Sequence, residues 1–180
     1  MAGCYDGTIK VFDAQSGDRL STVRGHRYSV NSVCWNNDGT KLASGSTDDT
    51  VKVWDPTTGE CLWTLRGEKP IQCLAFSRNG RILAAGDGWV SGGKDYSIRL
   101  YDAESGTQIG CPLSGHSRFV NSVCWNNDGT KLASGSTDKT VKIWNPATGE
   151  CLWTLRDTDQ TGPVCVWSVC FSPDGTKIAS

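Results

Sequence analysis

A histidine, a serine and an aspartate recur twice in this chain at one spacing: His26, Ser44 and Asp48, then His116, Ser134 and Asp138. These are the residue types of a hydrolytic triad, in which an imidazole takes the proton of a serine hydroxyl while a carboxylate fixes the imidazole's tautomer. A catalytic set also needs an accessible nucleophile and donors for the developing oxyanion. A tryptophan follows each set at a constant distance, Trp54 and Trp144, and duplicating a whole triad is an odd way to build one active site. Metal chemistry is no better supported. The two histidines belong to these sets, no acidic or cysteine cluster has ligand spacing, and none of the nine cysteines forms a CxxC pair. The residues therefore point away from an enzyme, with no catalytic residue, cofactor or metal expected.

The elements that must carry these residues are set by an internal repeat. Residues 30–67 and 120–157 differ at only five positions (49, 53, 55, 57 and 67 in the first copy), at an offset of 90 residues. Turn dipeptides count the copies independently. Asp38-Gly39, Asn79-Gly80, Asp128-Gly129 and Asp174-Gly175 form one set of hairpin signals, and Ser16-Gly17, Thr58-Gly59, Ser105-Gly106 and Thr148-Gly149 an interleaved second set. Between them the same short strand appears four times, at residues 9–12, 51–54, 98–101 and 141–144, each ending in an aromatic followed by Asp13, Asp55, Asp102 or Asn145. Four strands per copy cannot bury both faces alone, so neighbouring sheets must stack.

The run Gly-His, Leu-Ala-Ser-Gly-Ser, Asp and Val-Trp-Asp resembles the WD-repeat β-propeller family, carried by Gly25-His26, Gly115-His116, Trp54-Asp55 and Trp144-Asn145. The resemblance implies an all-β propeller of four four-stranded antiparallel blades per chain, one of them split between the chain's ends. Its parts are a C-terminal half-blade at 2–26, a blade at 27–67, a divergent blade at 68–114, a blade at 115–157 and an N-terminal half-blade at 164–180, together one domain over 1–180. It also implies that His26, Ser44, Asp48 and Trp54, with His116, Ser134, Asp138 and Trp144, form a buried hydrogen-bond chain in each full blade. The divergent blade has Gly67-Glu68 for Gly-His, Ala85 for Ser and Tyr101 for Trp. Without the network, it and the split blade are expected to open most easily.

By the same resemblance, partners dock on the narrow face, which maps to Ser29, Asn31 and Thr47, to Phe119, Asn121 and Thr137, and to Tyr5, Pro70, Gln72, Lys94 and Trp167. Trp167 and Phe119 either anchor a partner or plug the channel mouth. Trp63 and Trp153, both in Cys-Leu-Trp-Thr-Leu, either fill the wedge between blades or offer a lateral contact.

Composition narrows the partner. Lys plus Arg is 18 and Asp plus Glu 19, a net charge of −1, so no basic footprint for nucleic acid is present. No apolar run approaches the roughly 20 residues of a membrane span. The first residues lack the pattern of a signal peptide. Cysteines that copy with the repeat inside apolar runs read as reduced core thiols, which places the chain in the cytoplasm or nucleus. The expectation is a non-enzymatic scaffold for a protein or peptide. The alternative is a purely structural part-ring, or a fragment, that assembles with another propeller segment. A homodimer completing an eight-blade ring is one form of it.

Overall fold

The computed structural model describes residues 2–88, 96–156 and 165–180. Among them are seventeen strands and no helix, so none is long and apolar enough to cross a membrane. The first sheet holds β1 (Ala2–Gly3), β2 (Thr8–Phe12) and β3 (Arg19–Arg24). The second holds β4 (Val30–Trp35), β5 (Leu42–Ser46), β6 (Thr50–Trp54) and β7 (Cys61–Arg66). The third holds β8 (Ile71–Phe76), β9 (Ile82–Asp87), β10 (Tyr96–Asp102) and β11 (Gln108–His116). The fourth holds β12 (Val120–Trp125), β13 (Leu132–Ser136), β14 (Val141–Trp144) and β15 (Cys151–Leu155). The fifth is the pair β16 (Cys170–Phe171) and β17 (Ile178–Ala179).

These antiparallel sheets are the blades of a β-propeller. Three are complete, and the strands of the split blade lie in two separate sheets, the first and the fifth, with its second strand represented in both as β1 and β17.

Turn chemistry explains the meander. The glycines of all eight turn dipeptides have φ between 69° and 78°, a region glycine enters without a Cβ clash. The residue after each third-strand aromatic closes the next turn. The Asp13 carboxylate accepts the Gln15 and Ser16 N–H groups at 2.8 and 2.7 Å, and Asp55 accepts Thr57 N–H at 2.7 Å. A side chain that bonds the backbone two residues on is the usual device of such turns.

Burial follows position within each blade. Every residue of β5 and of β13, both Leu-Ala-Ser-Gly-Ser, is buried, whereas the outermost β15 is exposed throughout. Four hydrophobic clusters fill the seams between successive sheets. Ile9 and Val23 meet Val30, Leu42 and Trp54 at the first seam. Ala43, Val51 and Val53 meet Ile71, Leu74 and Tyr101 at the second. Tyr96, Ile98 and Leu100 meet Val120, Trp125 and Trp144 at the third, and Ala133 and Ile143 meet Val166 and Val169 at the fourth.

All nine cysteines are free, but they are not uniformly core. Cys73 is buried and Cys34 half-buried, while Cys61 and Cys151 lie exposed on the outermost strands. The repeat copies burial with position, since Cys34 and Cys124 are both half-buried and Cys61 and Cys151 both exposed. Where the surroundings are apolar the effect is strong, and burial pushes the Cys34 thiol up to about 12.

Candidate binding rim

Each full blade carries a four-residue polar chain whose proton directions can be deduced. Trp54 Nε1–H donates to Ser44 Oγ at 2.8 Å, and Ser44 Oγ lies 2.7 Å from His26 Nε2. His26 Nδ1 lies 3.0 Å from Asp48 Oδ2. A carboxylate only accepts, so Nδ1 carries a proton toward Asp48, and in the neutral imidazole, the form that burial favours at His26, Ser44 donates onward to Nε2. The fourth sheet repeats it, with Trp144 Nε1 to Ser134 at 2.8 Å, Ser134 to His116 Nε2 at 2.7 Å and His116 Nδ1 to Asp138 at 2.8 Å. Asp48 also accepts Arg27 N–H at 2.8 Å and Thr50 N–H at 3.0 Å, which ties the loop before β4 to the β5–β6 turn.

Neither serine can serve as a nucleophile from this position. Ser44 and Ser134 have no exposed surface, and the oxygen of each is already held by an indole. Among the described residues, no group of three or more His, Cys, Asp or Glu is arranged to hold a metal.

The chain titrates in acid. Burial holds the His26 imidazole below its ordinary value against the pull of Asp48. Burial pushes the Asp48 and Asp138 carboxylates up, but their hydrogen bonds outweigh it, from Thr50, Arg27 and His26 on Asp48 and from His116, Thr140 and Ser117 on Asp138. Both end below the usual carboxylate range. As pH falls, the unfolded chain protonates its histidine near 6.5 while the folded His26 does not. Stability is therefore lost from about pH 6.5 downward, and a second loss begins below about pH 4 as unfolded aspartates protonate first. Thermal midpoints measured from pH 7.5 to 3 should show both declines, and His26→Gln should shrink the upper one.

The polar chains pin the blade end at which the loops into the first strands meet the β5–β6 and β13–β14 turns. Residues of that rim divide into three groups. Tyr5 is 95% exposed and Trp167 72% exposed, and Thr47 is also exposed, its hydroxyl donating to Ser29 O at 3.3 Å. Asn31 and Asn121 instead clasp neighbouring blades, donating from Nδ2 to Ile71 O and Val166 O, each at 2.9 Å. Ser29, Pro70, Gln72 and Thr137 are half-buried. Thr137 N–H donates to Phe119 O at 3.0 Å, and Thr137 Oγ1 accepts from Asn121 at 3.1 Å. Lys94 lies outside the described residues, as do Trp89 to Gly93 of the divergent insertion.

Phe119 departs from the expected free rim aromatic. Its ring packs edge-on against Tyr96, centroids 5.4 Å apart, and against the third seam's core. Phe119→Asp would therefore unseat a blade seam before it tested binding. The exposed aromatic of this loop sits one step earlier in the first copy, at Tyr28, 62% exposed. The swap of Arg27-Tyr28-Ser29 for Ser117-Arg118-Phe119 was visible in the sequence, but only packing against Tyr96 separates the tucked ring from the free one. Beside Tyr28 opens a pocket of about 380 Å³, lined by Arg27, Thr47, Asp49, Lys52 and Arg66 among others.

The divergent third sheet holds a polar group that the sequence reading missed. Asp87, at the position of Ser46, is buried and accepts from Arg99 Nη1 at 2.7 Å and Ser97 Oγ at 2.9 Å, with Lys69 Nζ 3.9 Å away. This blade has replaced the histidine network by an ion pair. The signal was there in Asp87 and Arg99 at positions held elsewhere by Ser46 and Lys52.

Comparison with known proteins places this geometry. The family described as WD domain, G-beta repeat matches residues 17–55, 59–102, 106–145 and 149–180. Serine-threonine kinase receptor-associated protein of Mus musculus is 30% identical over 148 residues, covering 82% of this chain and 40% of its own length, and the Homo sapiens protein gives the same figures. Poly(A)+ RNA export protein of Schizosaccharomyces pombe is 42% identical over 84 residues, 46% of this chain and 22% of its own length. The chain thus spans well under half the length of these relatives.

Proposed function

The chain belongs to the WD-repeat family, and we propose that within the interaction-scaffold role typical of that family it captures a protein or peptide segment on the rim that carries Tyr5, Tyr28, Thr47 and Trp167. The observation that carries this reading is the rim pocket beside Tyr28. It joins an exposed aromatic to basic side chains that enter no ion pair among the described residues (Arg27, Arg66 and Lys52, whose Nζ donates to Thr64 Oγ1 at 2.8 Å) and to the carboxylate of Asp49. Exposed aromatics and arginines are the side chains that dominate binding energy at protein interfaces. Both signs of charge line the pocket, which suits a peptide better than a polyanion. The buried polar chains act indirectly, by fixing the loops from which these side chains project.

One relative is named for RNA export, so RNA is the reading to test against. The net charge of −1 gives no broad phosphate-binding surface. Nine free thiols fit a reducing compartment, the cytoplasm or the nucleus.

A displayed peptide library panned on the chain should yield ligands that bind roughly 10-fold or more weakly to Tyr28→Ala and to Trp167→Ala, with circular dichroism unchanged. Selected peptides that bind both variants as well as the parent would sink the rim assignment. So would tight, salt-sensitive binding of a poly(A) oligonucleotide with no peptide enriched.

A further inference from the structure

The two full blades offer one framework with different side chains at the rim. Lys52, Thr64 and Arg66, which line the pocket beside Tyr28, recur on the fourth sheet as Lys142, Thr154 and Arg156. Three lining positions differ between the copies: Arg27 is matched by Ser117, Tyr28 by Arg118 and Asp49 by Lys139. The aromatic and the carboxylate of the first copy have thus both been exchanged for cations. The remaining carboxylate, Asp138, is already bonded to His116 Nδ1 at 2.8 Å, Ser117 N–H at 3.0 Å and Thr140 N–H at 3.0 Å.

Hydrogen bonds gather these cations. Ser136 ties two loops, its Oγ donating to Arg118 O at 3.1 Å and its carbonyl accepting Lys139 N–H at 3.2 Å. Lys142 lies opposite Thr154 and donates to its Oγ1 at 2.8 Å. Arg156 follows two residues on, at the repeat position where Arg66 faces Thr50 across the ladder. Arg118, Lys139 and Arg156 are exposed and Lys142 is half-buried. None of the four enters an ion pair among the described residues. Their supports are the third and fourth sheets, both complete.

The turn residue carries a second signal. Asp49 and Lys139 are the non-glycine residues with positive φ among the described ones, at 66° and 69°. Glycine would adopt this left-handed conformation without the Cβ strain, yet both copies keep a charged side chain, and the sign is opposite. The 38-residue copies differ at only five positions, and this is one of them. Strain retained at a surface turn, with charge reversed on a matching framework, points to a role for the side chain outside the turn itself.

We infer that the rim of the fourth sheet binds an acidic peptide segment, that Arg118, Lys139, Lys142 and Arg156 receive its carboxylates, and that the turn residue Lys139 sets this preference. The inference rests on the rim being the docking face, and it names the chemistry of what docks there. In the free chain the four like charges repel one another while Asp138 is committed to His116, and a stretch rich in Asp or Glu relieves that repulsion. The cations occupy two loops and a strand end of a chain whose net charge is −1, which matches a short acidic stretch and not a long phosphate backbone.

Fluorescence anisotropy of a labelled oligoglutamate peptide, titrated with the 180-residue chain, tests this. The glutamate peptide should bind and an oligolysine peptide of equal length should not. Lys139→Asp introduces the side chain that Asp49 already carries in the same left-handed turn, so the fold is kept, and binding should weaken roughly 10-fold. The reverse exchange, Asp49→Lys, gives the second sheet four cations and should tighten binding, a gain that no loss of folding can imitate. Arg78→Asp reverses an exposed cation on the β8–β9 turn, at the other end of a blade, and should change binding by less than about 2-fold, since salt screens distant surface charges. Absence of glutamate-peptide binding overturns the proposal. So do equal losses in Lys139→Asp and Arg78→Asp, which would report net charge alone, or no gain from Asp49→Lys. Tighter binding of a poly(A) oligonucleotide of equal charge would assign the cations to phosphate and overturn it as well. The two readings fail separately, because selected library peptides decide the Tyr28 pocket and the glutamate peptide decides Lys139.

Discussion

Adding one methyl group at Gly45, as Gly45→Ala, should destabilise the chain by about 3 kcal/mol, the upper end of what overpacking a core costs. The new Cβ would lie 2.4 Å from Ile71 Cγ2, 3.0 Å from Ile71 Cβ and 3.3 Å from Leu74 Cγ. Neither neighbour has room to yield. Ile71 is buried in the second seam, its carbonyl is held by Asn31, and Leu74 N–H donates to Ser32 Oγ at 3.1 Å. The two sheets would have to move apart along a seam that is close-packed throughout. Gly135→Ala meets Val166 and Val169 in the same way, at 2.5 and 2.9 Å. Gly39→Ala is the comparison that isolates the mechanism. Its Cβ meets nothing within 4 Å, but its φ is +73°, so the expected loss there is conformational and about 1 kcal/mol. Urea unfolding should rank the three variants, and hydrogen exchange should show that the Gly45 variant loosens β5 and β8 first. Equal losses at Gly39 and Gly45 would refute the close-approach argument.

The fold was legible because it is written in repeated units, and a repeat reports turns, strands and stacking together. Each turn glycine that the dipeptide pattern singled out has the positive φ it was expected to need. What the repeat could not report is the difference between identical residues in different company. Trp63 and Trp153 share a pentapeptide, yet one is covered and the other is not, because burial belongs to the neighbouring blade and not to the local sequence. Asn31 and Asn121 illustrate the same limit at the rim. An amide on a loop face reads as a ligand contact, but a backbone carbonyl of the next blade stands within reach of each. For Phe119 the sequence leaves a partner anchor and a channel plug both open, and the Tyr96 ring that receives it comes from a blade whose pattern diverges.

The divergent third sheet gives the second large effect, and it bears on the expectation that this blade opens easily. The absence of a histidine network there suggested an easily opened blade, but Asp87 has only 1% of its side chain exposed and sits under the Arg99 guanidinium. Removing one partner of such a pair leaves a charge in the interior without compensation, a loss of roughly 3–5 kcal/mol when burial is complete. Arg99 keeps 16% of its side chain in solvent and Lys69 remains 3.9 Å from Asp87, so Arg99→Leu should cost about 3 kcal/mol, at the lower end of that range. The double variant Asp87→Ala with Arg99→Leu should cost less than Arg99→Leu alone, because it leaves no buried carboxylate unmatched. Only the buried-charge account yields that ordering, since simple loss of packing would make the double variant worse. Native-state hydrogen exchange supplies the second measurement. Amides of β9 and β10 should be protected as well as those of β5 and β6 in the parent, and should become the fastest of the three complete blades in Arg99→Leu. Fast exchange of β9 and β10 in the unaltered protein would mean that the ion pair does not replace the polar chain of its neighbours.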